Sequence, residues 1–512
     1  MTVVMTRNNS IDLAQSDGMP DAVRALVHPP DWRNPKPAAK YDLVVLGGGT
    51  AGLVSAMGAV GLGARVALVE RDLLGGDCLN TGCVPSKAII RSARAVGEVR
   101  RAAALGVTVE GLEIDFGSVM RRMRERRASI AVHDSAERLR NAGIDVFFGS
   151  ARFANEQTVL VGESLLRFRR AVIATGGRPV APPVPGLDAV PYLTNENVFT
   201  LTELPRRLLV IGAGPIGCEL AQAFARFGSI VTLLDQAQEV LPREDPDAAA
   251  LVRRSMEQDG VRLELDAQLA RVDTHDGEVA IHYLRERPGH IERSTAAGDA
   301  LLVAAGRAPN IEDLDLDVAG VRSGTQGVVV SDRLRTSNPR VYASGDVCSA
   351  YKFTHAADAT SRLVLQNALF FGRRQASALV IPWVTYTDPE VAHVGVSGAD
   401  VATSGGRLAT ITVQLSEVDR AVVDDETDGF VRVHHERGRL RGCTIVAAHA
   451  GEMIGEAVYA MTHNGTLAAL SSTVHPYPTQ AEALRKAGDA YRRQSLTPRV
   501  KRWLERYFKW TR

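Results

Sequence analysis

Cysteine is scarce in this chain: five residues in 512. That is too few for a secreted disulfide scaffold, and a chain this long buries enough core to need none. No charge of one sign dominates. Lys and Arg total 60 and Asp and Glu total 59, a formal charge of +1. This excludes a nucleic-acid binder that works by bulk charge. Residues 1–40 hold no continuous apolar run of the kind an export signal needs, so a cytoplasmic protein is expected. The one long uncharged stretch, Leu43 to Ala64, has seven glycines in 22 residues. A strand, a tight turn and a packed helix explain it better than a membrane span, and no membrane contact is expected. What remains is ordinary for a soluble globular chain: 45% hydrophobic and 23% charged residues. The length suits about three domains of roughly 150 residues.

One internal repeat stands out. YDLVVLGGGTAG and RRLLVIGAGPIG each run from an apolar strand into a glycine turn and then a helix. Both carry GxGxxG, as Gly47, Gly49, Gly52 and as Gly212, Gly214, Gly217. In both, the next strand ends on an acid, Glu70 or Asp235, 18 residues after the last glycine. The first glycine permits the turn, the second a close approach of backbone to a pyrophosphate, the third helix–strand packing. The acid can accept both ribose hydroxyls. Glycine turns in unrelated α/β layers are the plainer alternative. The doubled context points to two dinucleotide folds in an α/β chain.

Two of the five cysteines are close together, in GGDCLNTGCVPSK. Cys78 and Cys83 are spaced C-x4-C, which suits neither a zinc knuckle nor a thioredoxin-type pair. They sit at an expected helix start, and Lys87 follows four residues after Cys83. A helix N-terminus and a lysine both lower thiol pKa values, which favours a redox disulfide over two buried packing thiols. Cys218, Cys348 and Cys443 are single and read as packing residues. Helices are expected over about 85–97 and 116–141, and residues 121–127 (RRMRERR) read as a solvated helix face. A short helix near 21–27 and a Pro-rich connector precede the first strand. The basic, aromatic end, VKRWLERYFKWTR, reads as an amphipathic helix docked on the protein's own surface.

Taken together, these motifs resemble the FAD-dependent pyridine nucleotide-disulfide oxidoreductases, the family of dihydrolipoamide dehydrogenase, glutathione reductase and mercuric reductase. The resemblance covers about 41–490. It implies two Rossmann-like domains and a C-terminal α+β dimerisation domain: an extension over 1–40, FAD binding over 41–190 and 311–380, NAD(P) binding over 191–310, dimerisation over 381–495 and a tail over 496–512. It implies that Cys78 meets the substrate and Cys83 lies beside the flavin, with Lys87 paired to Glu219. Thr175 and Gly176 in ATGGRP, Gly306 in VAAGRAPN, Asp346 in ASGD and, separately, Ala151 would contact cofactor; Asp346 could also be a simple turn acid. Asp235 itself would repel a 2′-phosphate, which favours NADH over NADPH, although Arg243 could reach round. No metal ligand set is expected.

The end of the chain departs from the family pattern. Dihydrolipoamide dehydrogenase and glutathione reductase carry a signature resembling H-P-T-x-x-E. Here the run is His475-Pro476-Tyr477-Pro478-Thr479-Gln480-Ala481-Glu482. Aligning on Pro-Thr-x-x-Glu puts Tyr477 at the base position and Glu482 as its partner, with His475 a substitute base or an interface residue. A tyrosine there, Tyr192 and the run REDP at 243–246 look like mercuric reductase. A phenol with an unperturbed pKa near ~10 is a poor base but a usable neighbour for a soft metal. Against that reading, no cysteine pair lies near the end and no C-x2-C metal-carrying segment is present. The expected activity is NAD(P)H-driven reduction of a small disulfide or thiophilic acceptor by a homodimer. The alternatives are a dihydrolipoamide dehydrogenase using His475, and a low-turnover redox- or metal-responsive flavin protein.

Overall fold

In the computed structural model, which describes residues 21–287 and 290–512, the two glycine-turn repeats build the same scaffold twice. The first sheet runs Ile144–Phe148, Val66–Glu70, Tyr41–Leu46 and Ser164–Ile173, with Val341–Ala343 on the far side of Ser164–Ile173, all parallel. The second runs Arg262–Glu264, Ile230–Leu234, Arg207–Ile211 and Ala300–Val303, also parallel. Each sheet therefore has its third, second and first strands side by side, followed by a later one. Each also has an antiparallel ribbon nearby in sequence, Ala151–Asn155 with Thr158–Val161 and Gln268–His275 with Glu278–Arg287. Strands such as Tyr41–Leu46 and Val66–Glu70 are near-continuous apolar runs because both faces of a parallel sheet are covered.

The turn glycines are obligatory for the same reason in both repeats. Gly47 has φ +106°, and a Cβ there would lie 2.3 Å from the carbonyl oxygen of Ala174. Gly212 has φ +112°, and its Cβ would lie 2.7 Å from that of Ala304. Ala174 and Ala304 each donate back to the last residue of the first strand, Leu46 and Ile211, at 2.8 Å. Both sheets belong to one compact unit, which extends to Ala213 and includes Leu220–Gln236 and Gly260–Leu379.

The helix expected near 21–27 is present as Asp21–Val27, and Val23 and Val27 are fully buried in the core under the first sheet. The following connector covers an exposed sheet edge. Asn34 exchanges hydrogen bonds with the backbone of Phe148 at 2.9 and 2.8 Å, and Trp32 Nε1 donates to the Val146 carbonyl. Pairing an edge in this way blocks strand addition. Residues 21–40 are thus integral to the first sheet rather than an appendage, while 1–20 lie outside the described residues.

Two sequence expectations are corrected by this unit. The helix expected over 116–141 is broken into Phe116–Ala131 and Ala136–Asn141, because Ser135 caps the second piece by accepting from Arg138 N. The basic run is also not a solvated face throughout. Arg122, Arg124 and Arg127 donate to carbonyls of Ala88, of Thr200 and Leu201, and of Asn80, and Arg127 is buried.

The second compact unit comprises Gly214–Glu219, Ala237–Asp259 and Val380–Arg512. Its sheet is wholly antiparallel, in the order Pro382–Thr385, Glu390–Gly395, Arg439–Ala447, Phe430–Glu436, Ala409–Gln414. Ala450–Thr462, Leu467–Ser472 and Glu482–Gln494 bury Ala457, Leu470 and Leu484 against Val394, Val431 and Ile445. This is the α+β layer expected of the end of the chain. No helix among the described residues is long and apolar enough to cross a membrane.

The run Arg243–Pro246 has a structural role in this unit. Trp383 Nε1 donates to Glu244 Oε1 at 2.6 Å, and Asp245 accepts from Gly398 N at 3.0 Å and pairs with Arg432 at 3.1 Å. Burial raises the Glu244 carboxyl from 4.5 to about 7 despite the Trp383 bond. The folded chain therefore holds this proton longer than the unfolded chain does. Stability falls as pH rises from about 4.5 to about 7 and is level above that. Glu244→Gln, which keeps an acceptor for Trp383, is expected to raise stability by about 2 kcal/mol near pH 8 and to change it little near pH 4. Thermal melts at the two pH values check this.

The last helix also departs from expectation. Pro498–Thr511 forms as read, but among the described residues none of its side chains is buried.

Candidate active site

The two cysteines sit on a short, tightly held hairpin. Cys78 lies in the one-turn helix Gly76–Asn80, and Cys83 opens the long helix Cys83–Arg101. Both carry free thiols, the reduced form of the expected pair. Four side-chain bonds fix the backbone around them. Asn80 Nδ2 donates to the carbonyls of Leu74 and Gly76 at 3.0 and 2.9 Å. Arg127 donates to the Asn80 carbonyl and Asn195 to the Thr81 carbonyl, both at 3.1 Å. A geometry held this way is preorganised for a reaction that makes and breaks a bond between the sulfurs.

Cys83 is placed to carry negative charge. Its own helix has Gly82 as N-cap and no side-chain cap, and Cys83 is its first residue, at the positive end of the helix dipole. Its Sγ lies 3.3 Å from Oγ1 of Thr354, the first residue of the helix Thr354–Leu369. The Cys78 thiol is pushed well above the ordinary range, first by its hydrogen bond with Cys83, then by burial, then by the charge on Cys83. The two thiols titrate as a pair. Lys87, half-buried, follows Cys83 by four residues on the same helix face.

Residues that sequence reasoning missed complete the surroundings. Arg307 forms an ion pair with Asp77, the residue before Cys78, and lies 3.7 Å from Asp346. Burial raises the Asp346 carboxyl, Arg307 opposes that shift and Asp77 adds to it. Arg307 adjoins Gly306 inside GRAPN, but nothing local in the sequence says which acids it meets. The two loops expected to contact cofactor are zipped together: Gly177–Pro179 pairs with Arg307–Pro309. Thr175 Oγ1 donates to the Asn310 carbonyl at 2.6 Å, and Asn310 Nδ2 returns a bond to Thr175 O at 2.9 Å.

The first glycine turn fits a dinucleotide. The helix Thr50–Gly61 has Gly49 as N-cap with no side-chain cap, leaving its first N–H groups available to a phosphate. Gly49 faces Gly76 so closely that a Cβ on Gly76 would lie 2.7 Å from the Gly49 Cα, and Gly345 packs against Ala51. The floor is therefore bare backbone with Asp346 and Arg307 at its side. Glu70 accepts from Gly48 N at 2.6 Å and Asp72 N at 2.7 Å, and both its oxygens keep lone pairs for a ribose diol. Burial raises its pKa against these two bonds. Gly149 N donates to the Glu70 carbonyl, which brings the bend before Ala151 to this same end of the sheet. In the second repeat Asp235 accepts from Ala213 N at 2.6 Å, the equivalent bond, and a Cβ on Gly214 would meet nothing within 4 Å.

The residues near the end of the chain separate into distinct pairs. Tyr477 is 71% exposed and its hydroxyl donates to Asp419 Oδ2 at 3.0 Å, which raises its pKa. The buried side chain of His475 bonds Glu456 Oε2 at 2.9 Å and the Thr473 carbonyl at 3.2 Å. Glu482, buried at the start of its helix, pairs with Arg485 and not with Tyr477, which corrects the expected partner. Glu219 is buried and accepts from Tyr386 N at 2.8 Å. Tyr192 packs against the core around Leu209 and Ile281. Cys218 and Cys443 are buried, and burial pushes the Cys348 thiol up to about 12, so all three are inert.

Comparison with known proteins agrees with this geometry. The sequence profile of the pyridine nucleotide-disulphide oxidoreductases matches residues 41–361, and that of their dimerisation domain matches 381–488. A mercuric reductase of Acidithiobacillus ferrooxidans is 36% identical, covering 89% of this chain and 83% of the relative. A dihydrolipoyl dehydrogenase of Chlamydia muridarum is 32% identical, covering 86% and 95%. Among solved structures, LpdA of Mycobacterium tuberculosis superposes with a TM-score of 0.80 at 27% identity, over 88% of this chain and 99% of that one. The Cu(II) complex of a HOCl-induced flavoprotein disulfide reductase of Escherichia coli gives 0.77 at 28% identity, over 88% of this chain and 100% of that one.

Proposed function

This chain belongs to the pyridine nucleotide-disulphide oxidoreductase family, and from that premise we propose that it reduces a small thiophilic acceptor, with Hg(II) the leading candidate. The observation that carries the reading is the clamped thiol pair, with Cys83 at the start of one helix and its sulfur 3.3 Å from Thr354 Oγ1 at the start of another. The family works with FAD and NAD(P)H, and a bound flavin would take hydride from the nicotinamide and pass its electron pair on. The first glycine turn, Glu70, Asp346 and Arg307 would hold FAD. Gly212, Gly214, Gly217 and Asp235 would hold the nicotinamide dinucleotide, with NADH favoured by Asp235. Lys87 would lie near the flavin, the role that the family resemblance gives it.

The chain's own groups account for the thiol chemistry. Opening the Cys78–Cys83 disulfide consumes two electrons; Cys83 keeps the negative charge and Cys78 takes a proton. Hg(II) then binds thiolate sulfur, accepts the electron pair as the S–S bond re-forms, and leaves as the metal while the proton departs. Such a disulfide is remade each cycle, which suits a reducing compartment such as the cytoplasm. Through the dimerisation domain the functional form is a homodimer, in which Tyr477 and Glu482 complete the partner's site.

A second reading rests on a specific contact. His475 is oriented by a half-buried carboxylate, Glu456, as a general base requires, and that would serve a dihydrolipoamide dehydrogenase. The two readings differ in acceptor. NADH oxidation with Hg(II) in excess thiol is expected to exceed that with lipoamide, and faster lipoamide turnover would reverse the order. Tyr477→Phe removes only an exposed hydroxyl. It is expected to leave thermal stability within about 0.5 kcal/mol, while Hg(II)-dependent turnover falls by ~10- to 100-fold. Unchanged turnover would remove Tyr477 from the site.

A further inference from the structure

The helix Pro498–Thr511 is built to stand by itself, and among the described residues none of its side chains is buried. Thr497 accepts from Val500 N and Pro498 occupies the first turn, a strong helix start. Val500, Trp503, Leu504, Tyr507 and Phe508 recur at three- and four-residue spacing and so form one stripe. The rings along it touch: Trp503 stacks on Tyr507 and Tyr507 meets Phe508 edge-on. Trp503 is 63% exposed and Trp510, at the edge of the stripe, 83%.

Charge identifies what the stripe fits. Arg499, Lys501, Arg502, Arg506, Lys509 and Arg512 occupy the rest of the helix surface, against Glu505 alone. Among the described residues, none of these six cations forms an ion pair within the chain. In a protein of net charge +1 this is a local concentration of positive charge. The segment also lies beyond residue 488, where the match to the dimerisation domain ends. An apolar aromatic stripe bordered on both sides by long cationic side chains is complementary to an anionic bilayer surface. Rings enter the headgroup–acyl boundary while guanidinium and ammonium groups reach lipid phosphates. We propose that this helix lies flat on anionic lipid and tethers the enzyme peripherally to a membrane surface.

The test is co-sedimentation of the full-length protein with vesicles of phosphatidylcholine, pure or with about a quarter replaced by phosphatidylglycerol. Each cation near an anionic surface strengthens binding about 5-fold, so partition to the anionic vesicles should exceed that to neutral ones by at least ~100-fold at low salt. Trp503→Ala with Phe508→Ala should weaken it by at least ~10-fold. Charge reversal at Lys501, Arg502 and Arg506 to Glu should abolish it. These side chains pack on no core, so both variants should melt like the parent. Equal partition to both vesicle types, no partition to either, or undiminished binding by the variants would overturn the proposal. So would a larger assembly of the parent in size-exclusion chromatography that the aromatic variant dissolves, because the stripe would then be covered by a second copy.

Discussion

Serine in place of Cys83 is expected to abolish the long-wavelength absorbance that appears when the flavin-loaded enzyme is reduced anaerobically with one equivalent of NADH. That band needs a thiolate donor against the flavin. Cys83 opens one helix and its sulfur lies 3.3 Å from Thr354 Oγ1 at the start of another, whereas the Cys78 thiol is raised by its hydrogen bond with Cys83 and by burial. Cys78→Ser should therefore keep a thiolate beside the flavin and show the band, even before reduction. Turnover with any acceptor should fall on the order of 10³-fold or more in both variants, since each removes half of the relay. The spectral difference between two equally inactive variants is the informative part. If Cys83→Ser keeps the band and Cys78→Ser loses it, the roles of the two sulfurs are reversed.

The second large effect comes from a residue with no functional group. Gly52→Ala would place a Cβ 1.8 Å from the carbonyl oxygen of Gly47, a backbone atom at the turn itself. Neither the strand Tyr41–Leu46 nor the helix Thr50–Gly61 can yield without opening the turn. The expected outcome is a protein destabilised by at least about 3 kcal/mol that is purified largely free of FAD. Gly214→Ala meets nothing within 4 Å and should fold and bind FAD like the parent. Flavin content by absorbance and melting temperature compare the two directly. A yellow, stable Gly52→Ala protein would show that the first repeat is not the FAD cradle.

Why the first turn was legible and other parts were not follows from how local each constraint is. The repeated glycines, the acids ending the second strands and the C-x4-C pair are short-range patterns, and each is where the pattern puts it. Glu70 and Asp235 even make the same bond to their turns, at Gly48 and Ala213. The contacts of Arg307 are long-range: Asp77 lies 230 residues away in sequence, and no periodicity connects them. The same holds for Asp419 with Tyr477 and Glu456 with His475, which no spacing rule predicts. The basic run 121–127 misled for the opposite reason. Its charge suggested solvent, but carbonyls of the cysteine hairpin and of neighbouring loops needed donors, and Arg127 and Arg124 supply them. The last helix is amphipathic as its pattern says, but an apolar stripe says that something covers it without saying what.

The central claim is that Cys78 and Cys83 store an electron pair in addition to the one the flavin carries. Anaerobic dithionite titration of the FAD-loaded enzyme counts this directly. The parent should accept about two electron pairs per chain, one by the disulfide and one by the flavin, and the Cys78→Ser/Cys83→Ser double variant about one. If the parent accepts only one pair, and so matches the double variant, the two thiols take no part in electron transfer and the proposed relay through them is wrong.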